Sequence, residues 1–497
     1  MIEARLIYEK ENFLNDVQDI PRAFSPYLII SDDAEHYIKW KYTVQNDVII
    51  LSVSSDIFPN KEYKSDLIYA DYSEYKRIVK RFIKNSLYDF LSKELQIRLP
   101  YGSLTGVRPT KLYYELGAKS EQSVEYLVEK FDVSPQKAVL IADCVKNQKN
   151  YINRDENAIG IFVNIPFCPS RCKYCSFIIT ELFRVEKQID FYVECVKKEL
   201  AVSLDIAKRK GYEIRSVYVG GGTPTSIGGE RLRDMLSALK GVGKEFTVEA
   251  GRPDAIDDSV VSALRSLGVT RVSVNPQTFC DQTLAVIGRK HTVADFYASY
   301  ETMKTAGFDI NTDLIAGLPG ENSSVFIDSV HKCLELKPDN VTIHTFSLKR
   351  GATFVSDGMG KAEFGSIKDA VEESHELLRS AGYVPYYMYR QKNKSGTTRN
   401  TNQENVAYPS GLCAERTALF YAGAAYPDVP VKALAITACF KGRPRKEVVS
   451  PCGACRQVMA EVIRRYGRDF DVLMIGEEET VVIKASSLLP FSFEYIG

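Results

Sequence analysis

The 497-residue sequence has no net charge, its 64 Lys and Arg being matched by 64 Asp and Glu. That balance removes any general electrostatic case for binding nucleic acid or a membrane surface. No apolar run reaches the roughly 18 residues needed to span a bilayer. The opening segment, MIEARLIYEKENF, is charged within its first few positions and lacks the apolar core of a secretion signal. Low-complexity tracts and internal repeats are missing too, and aromatic residues are plentiful, so intrinsic disorder is excluded. These absences leave a cytoplasmic globular protein too long for one small core, with two or three domains expected.

Cysteine is what stands out. There are eleven, an odd number, and six fall into two tight groups with metal-ligand spacing. In a cytosolic chain such groups argue for metal before disulfide. Cys144, Cys195, Cys280, Cys333 and Cys439 have no assigned partner and are expected to be reduced, mostly core thiols.

The chain reads as α/β in three parts. Residues 1–150 form an accessory α+β region, with a strand at 48–53 and helical apolar spacing over 75–93. Over 155–392 short apolar runs (159–167, 216–221, 245–251, 271–277, 310–317 and 341–348) alternate with helical patterns. Six such units imply parallel strands with right-handed crossovers, a partial (β/α)6 barrel whose chemistry sits at the strands' carboxyl ends. Residues 398–497 form a compact α/β/α module, with strands at 433–438 and 471–475 and a helix over 452–466.

The first thiol group is Cys168, Cys172 and Cys175, a CxxxCxxC loop directly after a strand. By spacing alone it could hold an iron–sulfur cluster or a zinc ion, although no fourth Cys or His follows closely for zinc. With GGGTPT at 220–225 after the second strand, this region resembles the radical S-adenosylmethionine enzymes. EAGRPD at 249–254, NPQT at 275–278, IGRKHT at 287–292 and DLIAGLPGE at 313–321 are similar to the oxygen-independent coproporphyrinogen III oxidase group. GSLTGVRPTK at 102–111 is similar to its HemZ-type branch, and the resemblance covers roughly residues 1–392.

The resemblance implies that Cys168, Cys172 and Cys175 ligate a [4Fe–4S] cluster whose open iron binds S-adenosylmethionine, fed by an electron donor. It further implies that Gly221, Gly222 and Thr223 meet the methionine moiety and that Glu249 meets a ribose hydroxyl. Tyr174, Gln277, Arg289 and Asp313 complete the cofactor pocket, and the implied substrate is a porphyrinogen or haem. Two positions depart from the pattern: Phe162 stands where several relatives have Tyr, and Asn164 where they often have His. The first is not expected to affect cofactor cleavage, and both count against the oxidase reaction. A haem-binding or regulatory role is the non-enzymatic alternative.

The second thiol group is Cys413, Cys452 and Cys455, with Glu415 two residues after the first. It fits the pattern in which three protein ligands hold catalytic Zn²⁺ and a non-ligand Glu moves the proton of the zinc-bound water. A four-ligand structural zinc site is the competing reading, with only Cys439 to spare. The region from about 400 resembles the cytidine deaminases, which implies cytidine or deoxycytidine as substrate and Asn402 and Glu404 as ribose contacts. That family also implies a homo-oligomer. Its opening helix has no counterpart here, and residues 383–391 and 397–402 are expected to form a hairpin in place of its first strands. Three readings of the whole chain stay open: a bifunctional fusion, a chain with one working half, and a join made at the gene level.

Overall fold

In the computed structural model, the residues described are 2–8, 17–24, 27–105, 109–115, 120–148, 157–175, 177, 179–346, 364–389, 400–403, 419, 430–437, 439–440, 443–444, 448, 450–451, 453–476 and 478–488. Two compact units emerge, one of Met1–Val193 with Lys197–Val406 and one of Ala407–Gly497 with Glu194–Val196. No helix among the described residues is long and apolar enough to cross a membrane.

The first unit begins with a five-stranded sheet built on alternation. Ile49, Leu51 and Val53 of Val48–Ser55 are buried, and their neighbours face outward. This strand pairs with His36–Gln45 through the two-residue turn Asn46-Asp47, both residues left-handed as the twist of a tight hairpin requires. Helix Tyr72–Leu95 covers one face, placing Val79, Ile83, Leu87 and Leu91 in the core. Its start is capped by Asp71, which accepts from the Glu74 amide at 2.8 Å, and it stops at left-handed Gln96.

The site-bearing sheet has eight strands. Six are parallel and lie where the apolar runs predicted them: β1 (Ala158–Ile165), β2 (Glu213–Gly221), β3 (Glu245–Gly251), β4 (Arg271–Val274), β5 (Asp309–Ala316) and β6 (Asn340–Thr345). Each pairs in parallel with the next, and helices fill the crossovers. Two short strands, β7 (Tyr387–Tyr389) and β8 (Asn400–Gln403), extend the β6 edge in the order β7-β8-β6-β5-β4-β3-β2-β1. The result is an open, curled half-barrel with all six parallel carboxyl ends on one rim.

The hairpin expected over 383–402 does form, with Tyr387 opposite Asn402 and Tyr389 opposite Asn400. Its place differs from the expectation. Strand β8 runs antiparallel to β6, Thr342 opposite Asn402, so the segment that resembles the start of a deaminase is the closing edge of the half-barrel. The division between units accordingly falls after Val406, later than a 392–398 boundary. An exposed parallel edge demands a partner or cover, and this hairpin is within reach of it in sequence.

The accessory region shares the first unit with the half-barrel. Gln148 Nε2 donates to Tyr386 O at 2.6 Å, Asn147 Nδ2 to Pro385 O at 2.8 Å, and Arg379 pairs with Asp143 at 2.9 Å. Buried Lys137 pairs with Glu372 on helix Phe364–Ser380. In the second unit, strand Ala433–Thr437 pairs in parallel with Asp471–Ile475, and Thr480–Lys484 returns antiparallel. Met459 and Val458 of helix Gly453–Tyr466 pack over Val472 and Phe470.

The Lys137 side chain is only 6% exposed, so its ammonium depends on the facing carboxylate. Glu372→Gln is expected to destabilise the protein by about 1–3 kcal/mol, read as a lower thermal midpoint. An unchanged midpoint would show that the pair contributes nothing.

Candidate functional site

The thiols are carried on the loop that leaves β1. Phe167–Cys168 pairs with Thr180–Glu181, closing the loop's two ends on each other, and the Thr180 amide donates to Pro166 O at 2.8 Å. Phe167 is buried edge-on against Tyr192, with ring centroids 4.9 Å apart. Within the loop, the Cys175 amide donates to Cys172 O at 3.0 Å and the Lys173 amide to Ile287 O at 2.9 Å. Cys168 and Cys172 are buried and Cys175 is half-buried.

Main chain meets main chain where β2 ends. The Gly222 amide donates to Ile165 O at 2.8 Å and the Thr223 amide to Phe167 O at 2.6 Å. A Cβ on Gly222 would lie 2.4 Å from Phe167 O, and Gly221 has φ +113°. Both positions therefore require glycine for the fold itself. Thr223 Oγ1 then reaches Cys168 Sγ at 3.4 Å.

Two buried arginines frame the loop. Arg252 Nη1 donates to Ser170 O at 2.9 Å and lies 3.8 Å from Cys172 Sγ, while its other nitrogens grip Asp254 in a two-point contact at 2.9 and 2.7 Å. Arg289 Nη1 donates to Gly251 O at 3.2 Å and Asn275 O at 3.1 Å, and its Nη2 to the Tyr174 hydroxyl at 3.3 Å. Its Nε is buried with no hydrogen-bond partner. Behind them His291 is buried, with Nδ1 4.0 Å from Asp254 Oδ1.

Carboxylates occupy the next strands. Tyr218 on β2 donates its hydroxyl to Glu249 on β3, whose other partner is the Gly221 amide. On β5, Asp313 Oδ2 accepts from Asn275 Nδ2 at 3.1 Å and lies 3.5 Å from His344 Nε2 on β6. The far ring nitrogen of His344 is 2.9 Å from the Tyr389 hydroxyl on β7. Gln277 takes a left-handed φ of 68°, which lets its amide donate to Asp313 O at 3.1 Å while its carbonyl accepts from Ile315 N at 2.9 Å. For a non-glycine residue that conformation costs about 1–3 kcal/mol and is characteristic of functional sites.

The electrostatics follow from burial. Burial pushes the Cys168 thiol up to about 11, with the neighbouring thiols adding to it, and raises Cys175 as well. Glu249 is pushed up to about 7 by burial, with the charge of Asp313 adding to it and the Tyr218 hydrogen bond opposing it. Burial alone would raise Asp254 too, but the Arg252 guanidinium outweighs it and holds that carboxyl below its usual range. His291 is lowered to about 4 by burial and then by the charge of Arg289.

The donor set suits an iron–sulfur cluster with S-adenosylmethionine. Three thiols on one loop have a cation and a hydroxyl at two of their sulfurs, and a buried arginine nearby has a spare donor. Among the described residues no group of three His, Cys, Asp or Glu is arranged around a single ion. Cys168, Cys172, Cys175, Tyr174, Gly221, Gly222, Thr223, Glu249, Gln277, Arg289 and Asp313 all belong to this rim. Arg252, Asp254, His291, Tyr218, His344 and Tyr389 also line it or support it, without having been given roles from sequence. Only Arg252, Asp254 and His291 lay inside a conspicuous motif.

The second group is less complete. Cys455 is buried on helix Gly453–Tyr466, whereas Cys413, Glu415, Cys452 and Glu404 lie outside the described residues. Asn402 lies on β8, whose main chain pairs within the first unit's sheet.

The radical SAM superfamily model matches residues 163–333, from within β1 to helix Ser323–Leu336. With the thiol loop on the rim of a parallel half-barrel, the first unit is a radical S-adenosylmethionine protein. More particularly, the chain belongs to the family of the oxygen-independent coproporphyrinogen-III oxidase-like protein HemZ. It is 32% identical to the Bacillus subtilis protein of that name over 345 residues, 66% of this chain and 68% of that one. It is also similar to the heme chaperones HemW of Lactococcus lactis, 36% over 239 residues, and Bacillus subtilis, 32% over 200 residues. Those matches take in 45% and 39% of this chain and only 60% and 52% of the two chaperones. Among solved structures, coproporphyrinogen III oxidase (HemN) from Escherichia coli is similar at TM-score 0.41 and 21% identity, over 53% of this chain and 58% of that one. The matched family region stops at 333, so the deaminase reading of the second unit rests on its sequence motifs alone.

Glu249 gives a stability signature. Its carboxyl titrates near 4.5 when unfolded and near 7 when folded, so the folded state holds the proton more tightly. The stabilisation is complete below about 4.5 and is lost as pH rises through about 7. Glu249→Gln is expected to flatten the thermal midpoint between those values, and an unchanged slope would place the proton elsewhere.

Proposed function

We propose that the first unit is a radical S-adenosylmethionine enzyme acting on a tetrapyrrole of the coproporphyrinogen class. The observation that carries this reading is the thiol loop, with Arg252 and Thr223 at its sulfurs on the rim of the half-barrel. Cys168, Cys172 and Cys175 would hold a [4Fe–4S] cluster that supplies the electron for reductive cleavage of S-adenosylmethionine.

The chain's own residues then bind and orient. Glu249, once ionised, is an acceptor pair for a ribose diol, and Tyr218 holds it in place. The spare Nε of Arg289 is a donor for the cofactor's carboxylate. Gln277 and Asp313, on neighbouring stretches of the rim, are tied together through their main chains. Phe162, half exposed on β1, stacks on Tyr218 with centroids 5.9 Å apart and offers an apolar ring beside these polar groups. A broad apolar macrocycle with carboxylate arms suits such a mixed surface.

The second reading is haem binding without oxidation, and the HemW relatives are named heme chaperones. Phe162 in place of a hydroxyl favours it. After anaerobic reconstitution, the wild type is expected to carry about four iron and four sulfide per chain and to form 5′-deoxyadenosine on reduction. Cys172→Ala is expected to lose both. Decarboxylation of coproporphyrinogen III supports the oxidase reading; cofactor cleavage with haem binding and no decarboxylation supports the other.

For the second unit we propose a zinc-dependent cytidine deaminase, carried by the Cys413-x-Glu415 and Cys452-x-x-Cys455 motifs. Cys413, Cys452 and Cys455 would hold Zn²⁺, and Glu415 carries the proton from the attacking water to the leaving amine. Glu415→Ala is expected to keep zinc and lower ammonia release from cytidine at least a hundredfold. Equal activity in the variant would remove Glu415 from that role.

A further inference from the structure

We infer that the Arg252–Asp254 pair sets the reduction potential of the cluster held by Cys168, Cys172 and Cys175, Arg252 raising it and Asp254 moderating that effect. The inference rests on the cluster reading above and goes beyond it, since neither residue is a ligand.

The geometry is specific. Arg252 is 3% exposed, so its charge is screened little by water. One nitrogen, Nη1, is shared between Ser170 O at 2.9 Å and Cys172 Sγ at 3.8 Å, and those two acceptors belong to the thiol loop itself. The remaining edge of the guanidinium is clamped by both oxygens of Asp254, at 2.9 and 2.7 Å. The clamp fixes the fork's orientation with Nη1 facing the thiol loop. A further element seals the far side: His291, its side chain fully buried, abuts Asp254 at 4.0 Å. Neither Thr223 at Cys168 nor any main-chain amide brings a full charge to the sulfurs as Arg252 does.

Reduction adds one electron to the cluster, taken from a low-potential one-electron donor such as dithionite. The added negative charge is spread over iron, sulfide and thiolate sulfur. A cation with an N–H aimed at one of those sulfurs stabilises the reduced state more than the oxidised one, which raises the potential. Asp254, one contact further out, offsets part of that charge. The two residues therefore act in opposite directions, and a merely structural pair would not.

The test is an anaerobic redox titration of the reconstituted full-length protein, following the reduced cluster by electron paramagnetic resonance. Arg252→Gln is expected to move the midpoint to more negative potential by at least a tenfold change in the reduction equilibrium, about 59 mV for one electron. Asp254→Asn is expected to move it the opposite way, and Arg252→Lys to fall between Arg252→Gln and wild type. Iron and sulfide contents at the wild-type level show that the cluster is intact in each. Intact clusters with unchanged potentials, or both variants shifting in the same direction, overturn the inference. If Arg252→Gln fails to retain a cluster, the sign of the Asp254→Asn shift decides alone. A wild type that takes up no iron overturns the cluster reading, and this inference with it.

Discussion

Everything at the rim depends on one close approach of main chain to main chain. The amides of Gly222 and Thr223 donate into the carbonyls of Ile165 and Phe167, with no room for a Cβ at Gly222. That contact ties the end of β2 to the loop leaving β1. It places Thr223 at Cys168 and puts the three thiols over the carboxyl ends of the sheet rather than out in solvent. Side chains could not do the same, because any side chain at Gly222 would push the loop away.

Around that contact the charges separate. The cations Arg252 and Arg289 lie against the thiol loop, and the carboxyls Glu249 and Asp313 lie beyond them on β3 and β5. Buried guanidinium groups are tolerated only when their donors are taken up, and here main-chain carbonyls and Asp254 absorb most of them. Three thiolates in one loop are in turn unfavourable without nearby positive charge. Among the described residues no cation faces Glu249, which is buried, shares a hydrogen bond with Tyr218, and so retains its proton toward neutral pH. The rim is thus polarised from sulfur to carboxyl, an arrangement fitted to a ligand that is itself charged at one end and hydroxylated at the other.

The closing edge of the half-barrel changes where the first unit ends. Strand β8 completes the sheet of the first unit although its residues read as the start of the second. Short antiparallel strands can be drawn from almost any polar segment that is close enough, because pairing uses main-chain groups and asks little of the side chains. The segment Asn400–Gln403 therefore serves the half-barrel whatever its ancestry.

Much of this was legible beforehand. The six parallel strands followed from apolar runs of strand length recurring with helical patterns, since burial on both faces leaves that mark. The thiol loop was read from its spacing, a local property, whereas Glu249, Gln277, Arg289 and Asp313 were named only through the family resemblance. Arg252, Asp254 and His291 were visible in those motifs but without roles, and His344 and Tyr389 carried no signal at all. They become neighbours only when β5, β6, β8 and β7 assemble in one sheet, as in the contact of His344 with Tyr389 forty-five positions away. Sequence alone determined which residues could ligate, bend or pair within a few positions of one another. Which of them share a charge, a proton or an edge was decided by tertiary structure, because electrostatic and hydrogen-bonding energies depend on distance in space and not on distance along the chain.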